Sequence, residues 1–69
     1  MFKNYYVYKR AQATGEHEVH AEDCIYLPDI VNRQYLGIFD NPKKAVEEAR
    51  KYYLNGDGCF YCCYPAHTR

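Results

Sequence analysis

Tryptophan is missing from this 69-residue chain, methionine occurs once, and charge of either sign is not in excess: nine lysines and arginines face nine aspartates and glutamates. A dedicated nucleic-acid binder draws most of its affinity from neutralising phosphates, so the balance argues against that role. Lys9-Arg10 and Lys43-Lys44 are local basic pairs and read as solvated surface. No apolar run approaches the roughly 20 residues needed to cross a bilayer. The opening Met1-Phe2-Lys3-Asn4-Tyr5 leads into a polar, tyrosine-rich segment without the apolar stretch of a secretory signal, which places the expected chain in the cytosol, where thiols stay reduced. Internal repeats, low-complexity tracts and linkers are also lacking, so residues 1–69 read as a single small domain. At this length a hydrophobic core alone gives marginal stability, and a disulfide or metal staple is expected.

What the chain does have is soft ligands in two groups: His20-x-x-x-Cys24 and Cys59-x-x-Cys62. Two close pairs separated by regular structure are what a tetrahedral zinc site asks of a sequence. The two-residue spacer of Cys59 and Cys62 lets both sulfurs address one ion from a tight turn. Cys62 and Cys63 are adjacent, which makes a two-disulfide framework awkward. The expected metal ligands are therefore His20, Cys24, Cys59 and Cys62, with zinc as the ion. His67 competes as fourth ligand, Cys63 competes with Cys62, and His17, flanked by glutamates, reads as a surface residue. The alternative is a metal-free domain whose cysteines are small buried hydrophobes.

Between the pairs the elements are legible. Residues 4–9 are aromatic and β-branched and read as an inner strand; Ala13-Thr14-Gly15-Glu16 is a turn, and residues 17–20 extend again to close a hairpin. Pro28 ends local regularity. Gln34 to Phe39 reads as a second good strand, weakened by Gly37. Asn41 and Pro42 open a helix as cap and first residue. Its apolar stripe is Ala45, Val46, Ala49, Tyr52 and Tyr53, with Glu47 and Lys51 in favourable i, i+4 order on the other side. Asn55-Gly56-Asp57-Gly58 is expected to stop that helix through glycine's tolerance of positive φ. The resulting fold class is α+β: a small antiparallel sheet with one helix packed across it, stapled by zinc.

The order His20-x-x-x-Cys24, then residues 32–45 (Asn-Arg-Gln-Tyr-Leu-Gly-Ile-Phe-Asp-Asn-Pro-Lys-Lys-Ala), then Cys59-x-x-Cys62, resembles the Ada-type metal-binding domain over residues 19–63. The resemblance implies a small prokaryotic zinc domain of the kind found in DNA methyl-damage repair regulators. In those proteins the site has four cysteines and one thiolate accepts a methyl group; the matching position here is His20, and imidazole is not an equivalent acceptor. Methyl transfer is accordingly not implied.

Two enzymatic readings are weaker. His20-Ala21-Glu22 with Cys59-x-x-Cys62 partly matches the zinc deaminase signature, but Gly58 replaces the proline before the cysteine pair, and one helix cannot supply the α/β layer around a base. Cys63 near His67 suggests a reactive thiol, against which a packed thiol is the simpler account. The nine tyrosines and three phenylalanines read as core rather than as a stacking platform, since no positive groove accompanies them. The expected role is a non-catalytic zinc module for a protein or nucleic-acid partner, with neither a membrane nor a small-molecule substrate involved.

Overall fold

A computed structural model describes residues 1–68. The strands are β1 (Lys3–Tyr8), β2 (His17–Ala21), β3 (Arg33–Phe39) and β4 (Gly56–Gly58); helix α1 spans Pro42–Ala49, and 3₁₀ turns lie at Ile30–Asn32 and Tyr64–Ala66. The sheet order is β3-β1-β2-β4. The inner position of β1 follows from its apolar alternation. Tyr5 and Val7 are buried under the core face, while Tyr6 and Tyr8 on the opposite face are half-buried, with the Arg33 guanidinium 4.6 Å over the Tyr6 ring and Tyr35 beside it.

The expected antiparallel sheet is mixed. β1 pairs antiparallel with both β2 and β3, but β4 joins β2 in parallel, with Glu18 beside Asp57 and Val19 beside Gly58. The reason is topological: β3 and α1 form the crossover from β2 to β4, and a crossover returns the chain in the same direction. Gly37, at φ +128°, sits where β3 bulges against Tyr5 and Tyr6, so the residue that weakens the strand also admits its kink.

Helix α1 begins as its sequence dictates: the Asn41 side chain accepts from the Lys44 amide at 3.1 Å, and Pro42 occupies the first turn. Ala45, Val46 and Ala49 are buried against the sheet, two of them small enough for close approach. The helix stops at Ala49, earlier than its stripe suggests, so Tyr52 lies in the following turn and is exposed, and Tyr53 is partly buried against the core. Lys51 pairs with Glu48 at 3.0 Å rather than with the expected Glu47.

Gly56 and Gly58 do not end the helix by positive φ; they are β4 itself, and what they contribute is space. A Cβ on Gly58 would stand 2.6 Å from the Cys63 carbonyl oxygen and 2.9 Å from the Ala66 carbonyl carbon, both backbone. Gly58→Ala is therefore expected to cost at least about 2 kcal/mol through forced backbone displacement, read as a lowered denaturant midpoint with an unchanged slope.

Candidate metal centre

Where β4 ends, the chain keeps to the edge of β2. The Cys59 amide donates to the Val19 carbonyl at 2.9 Å, and the Ala21 amide, next along that edge, donates to Cys62 Sγ at 3.3 Å. The turn from Cys59 to Cys63 is closed by the Cys63 amide on the Cys59 carbonyl at 2.9 Å. The knuckle thus extends the sheet by offering sulfur where a strand would offer oxygen. On the other side, Cys24 follows the end of β2 in a turn fixed by its own amide on the Ala21 carbonyl, 3.1 Å, and the Tyr26 amide reaches Cys24 Sγ at 3.4 Å. Amides aimed at two sulfurs are donors placed for thiolate charge.

These turns bring one ligand atom from each of His20, Cys24, Cys59 and Cys62 within 4.8 Å of one another. Cys24 and Cys59 sulfurs are 3.9 Å apart, and Cys62 Sγ is 4.0 Å from His20 Nδ1. Zinc–sulfur bonds of about 2.3 Å at tetrahedral angles put two sulfurs about 3.8 Å apart, so the spacing suits a single ion. Among the described residues this is the one cluster of its kind, and it contains all four residues expected from the sequence.

Electrostatics at the site follow burial. His20 is 2% exposed, and burial lowers its imidazole pKa to about 4, which keeps the ring neutral and able to ligate at physiological pH. Burial pushes the Cys59 thiol up to about 12 and raises Cys24 as well. Cys62 is raised first by the neighbouring Cys63 thiol, 3.7 Å away, and then by burial. Three such thiols ionise only when a cation repays their desolvation. Glu18 is raised by burial and by Asp57, and lowered in part by His67 and by the Gln12 side chain.

The competing ligands go elsewhere. His67 Nδ1 donates to the Gly58 carbonyl at 2.9 Å and lies 3.6 Å from Asp57. His17 is not the surface residue its flanking glutamates suggest: it is half-buried, its Nδ1 donates to the Tyr8 carbonyl at 3.0 Å, and its ring stacks on Tyr53 at 4.1 Å. Cys63 is fully buried in the core, where its carbonyl accepts from the Ala66 amide, and it is not exposed to react. Cys63→Ser is expected to cost about 1–3 kcal/mol by burying a hydroxyl in an apolar site, while metal content measured by mass spectrometry stays at the parental level.

Sequence reasoning missed Glu18. Its carboxylate lies 3.5 Å from His20 Nε2, and the i, i+2 spacing on a strand was the available signal, because alternate residues share a face. The opening of the site is a shallow pocket lined by Lys3, Asp23, Cys24, Ile25, Tyr61 and Cys62, bridged by a 2.9 Å Lys3–Asp23 ion pair. Beside it, Tyr26, Tyr61, Phe60 and Tyr64 form a run of ring contacts with centroids 4.7–5.3 Å apart, and all four are at least half exposed.

No protein-family model matches this chain, and no curated protein or solved structure does either. The fold and the geometry of the site therefore carry the functional reading. Among the described residues no helix is long and apolar enough to cross a membrane.

Proposed function

We propose that the protein is a structural zinc module, held by His20, Cys24, Cys59 and Cys62, whose role is to present a surface to a partner. The observation that carries it is the convergence of one imidazole and three thiols, from segments 35 residues apart, within 4.8 Å. Zinc is favoured by chemistry: three thiolates and an imidazole in tetrahedral reach suit a borderline-soft ion, whereas calcium and magnesium take oxygen ligands. Four protein donors fill that shell, leaving no position for a reactive water, so the site is structural rather than catalytic.

A protein partner fits better than nucleic acid. Three thiolates and one zinc add about one negative charge to a chain that is otherwise neutral, and the exposed ring cluster Tyr26–Tyr61–Phe60–Tyr64, which His67 joins at 5.4 Å from Phe60, includes no lysine or arginine. Contiguous exposed aromatics of this kind mark interaction surfaces. The Ada-type resemblance enters this reading through the order of its elements alone: ligand pair, strand, capped helix, terminal knuckle.

The test is native mass spectrometry and elemental analysis of protein purified without added metal. One zinc per chain is expected. A metal-free chain with an intact near-ultraviolet circular dichroism spectrum would instead make the cysteines packing residues.

A further inference from the structure

His20 has two ring nitrogens, and a metal site uses one of them; which one is decided by what holds the other. We propose that Glu18 is the positioning residue that makes His20 an Nδ1 ligand, by accepting a hydrogen bond from Nε2–H. This rests on the zinc reading above and adds an assignment to it.

Three observations point the same way. Nδ1 is the nitrogen on the sulfur side, 4.0 Å from Cys62 Sγ, while Nε2 faces Glu18 Oε1 at 3.5 Å. The arrangement is built into β2: Glu18 and His20 are two residues apart on one strand and so share a face, and the pairings of His20 with Tyr6 and of Glu18 with Asp57 hold both positions in register. The other carboxylates nearby are engaged elsewhere. Glu22 accepts from the Asn4 amide at 2.6 Å and from its side chain at 3.0 Å, Asp23 pairs with Lys3, and Asp57 accepts from the Thr68 amide and hydroxyl.

The present 3.5 Å separation is longer than an ordinary N–H···O hydrogen bond. A small rotation of the ring toward Glu18 would bring it within hydrogen-bond reach, and coordination at Nδ1, which draws electron density from the ring, would strengthen Nε2–H as a donor. Glu18 then does two things for the site. It fixes the tautomer that leaves the Nδ1 lone pair free for the ion, and its negative charge raises the basicity of the ligating nitrogen.

The experiment has two arms on the full chain. In the zinc-loaded parent, labelled with nitrogen-15, long-range proton–nitrogen correlation is expected to show His20 with its proton on Nε2 and the metal-shifted nitrogen at Nδ1. In competition with a chromogenic chelator, Glu18→Ala is expected to bind zinc about 10–100-fold more weakly than the parent. Glu18→Gln, which keeps an acceptor oxygen without the charge, should fall between the two. An Nε2-bound zinc overturns the assignment, and so does a Glu18→Ala affinity within about twofold of the parent, since loss of an outer partner of this kind costs at least about tenfold. Should Glu18→Ala fail to fold, the tautomer of the parent still decides. A parent that takes up no zinc removes the metal reading and this assignment together, whereas a zinc-loaded parent with the wrong tautomer removes the assignment alone.

Discussion

Cys59→Ser should leave this chain without zinc and without a native fold. Cys59 is one of the four proposed ligands and also a buried core residue following β4, and its amide carries the last rung on β2. Serine does not ionise to replace the thiolate and brings a buried hydroxyl. Zinc-finger peptides draw about 10–16 kcal/mol of apparent free energy from their ion, more than the ~5 kcal/mol total that a domain of this size can be expected to hold. The expected result is loss of near-ultraviolet dichroism and of amide dispersion at 25 °C, with no zinc retained on gel filtration. A chelator strong enough to strip the parent should give the same spectrum. A Cys59→Ser protein that stays folded with zinc bound would show that this sulfur is not a ligand.

Acidification should release the ion over a narrow range. In the unfolded chain the cysteines ionise near pH 8.5 and histidine near pH 6.5. Zinc displaces three thiol protons at pH 7, so its apparent affinity falls about a thousandfold per pH unit between 8.5 and 6.5, and about ten-thousandfold per unit below that, once imidazole also takes a proton. The fourth of these protons is that of His20, and burial in the folded frame gives it the same sign. Burial lowers the His20 pKa to about 4, so between pH 6.5 and 4 the unfolded state holds a proton that the folded state does not. Stability therefore falls as pH drops through that window, by up to about 3 kcal/mol from this ring, and levels off below pH 4. A zinc-release titration followed by a fluorescent indicator should have its midpoint above pH 4 and a slope steeper than one proton. A single-proton curve would contradict a three-thiolate site.

Much of this was legible in the residues. Asn41-Pro42 marks the start of α1, the alternation in Tyr5-Tyr6-Val7-Tyr8 places β1 inside the sheet, and the ligand spacing names the four residues that converge. The features that were not legible depend on distant partners. Gly56-Asp57-Gly58 has turn composition but becomes a strand, because His17 to Val19 of β2 offer it a partner and the packing of Cys63 and Ala66 tolerates no side chain at Gly58. His17 looks solvated between two glutamates until Tyr53 arrives from beyond the helix to stack on it. Cys63 looks like a spare ligand because nothing local distinguishes it from Cys62; the direction of the Cys59–Cys63 turn sends one sulfur to the Ala21 amide and the other into the core. The free edge of β2 decides among these outcomes, and an edge is a property of the whole sheet.

The parallel rung between β2 and β4 also has a consequence for how the molecule comes apart. β4 is three residues long and is stitched to a strand that the chain left more than thirty residues earlier, so once the ion departs its rungs to β2 face the entropy of that excursion, while its own neighbours keep their bonds to it, Arg50 on the Gly56 carbonyl, His67 on the Gly58 carbonyl and Thr68 on Asp57. Deuterium uptake during slow zinc stripping should therefore begin at the amides of Ala21, Cys59 and the β4 rungs, while the β1–β3 ladder, with the larger share of hydrogen bonds, resists longest.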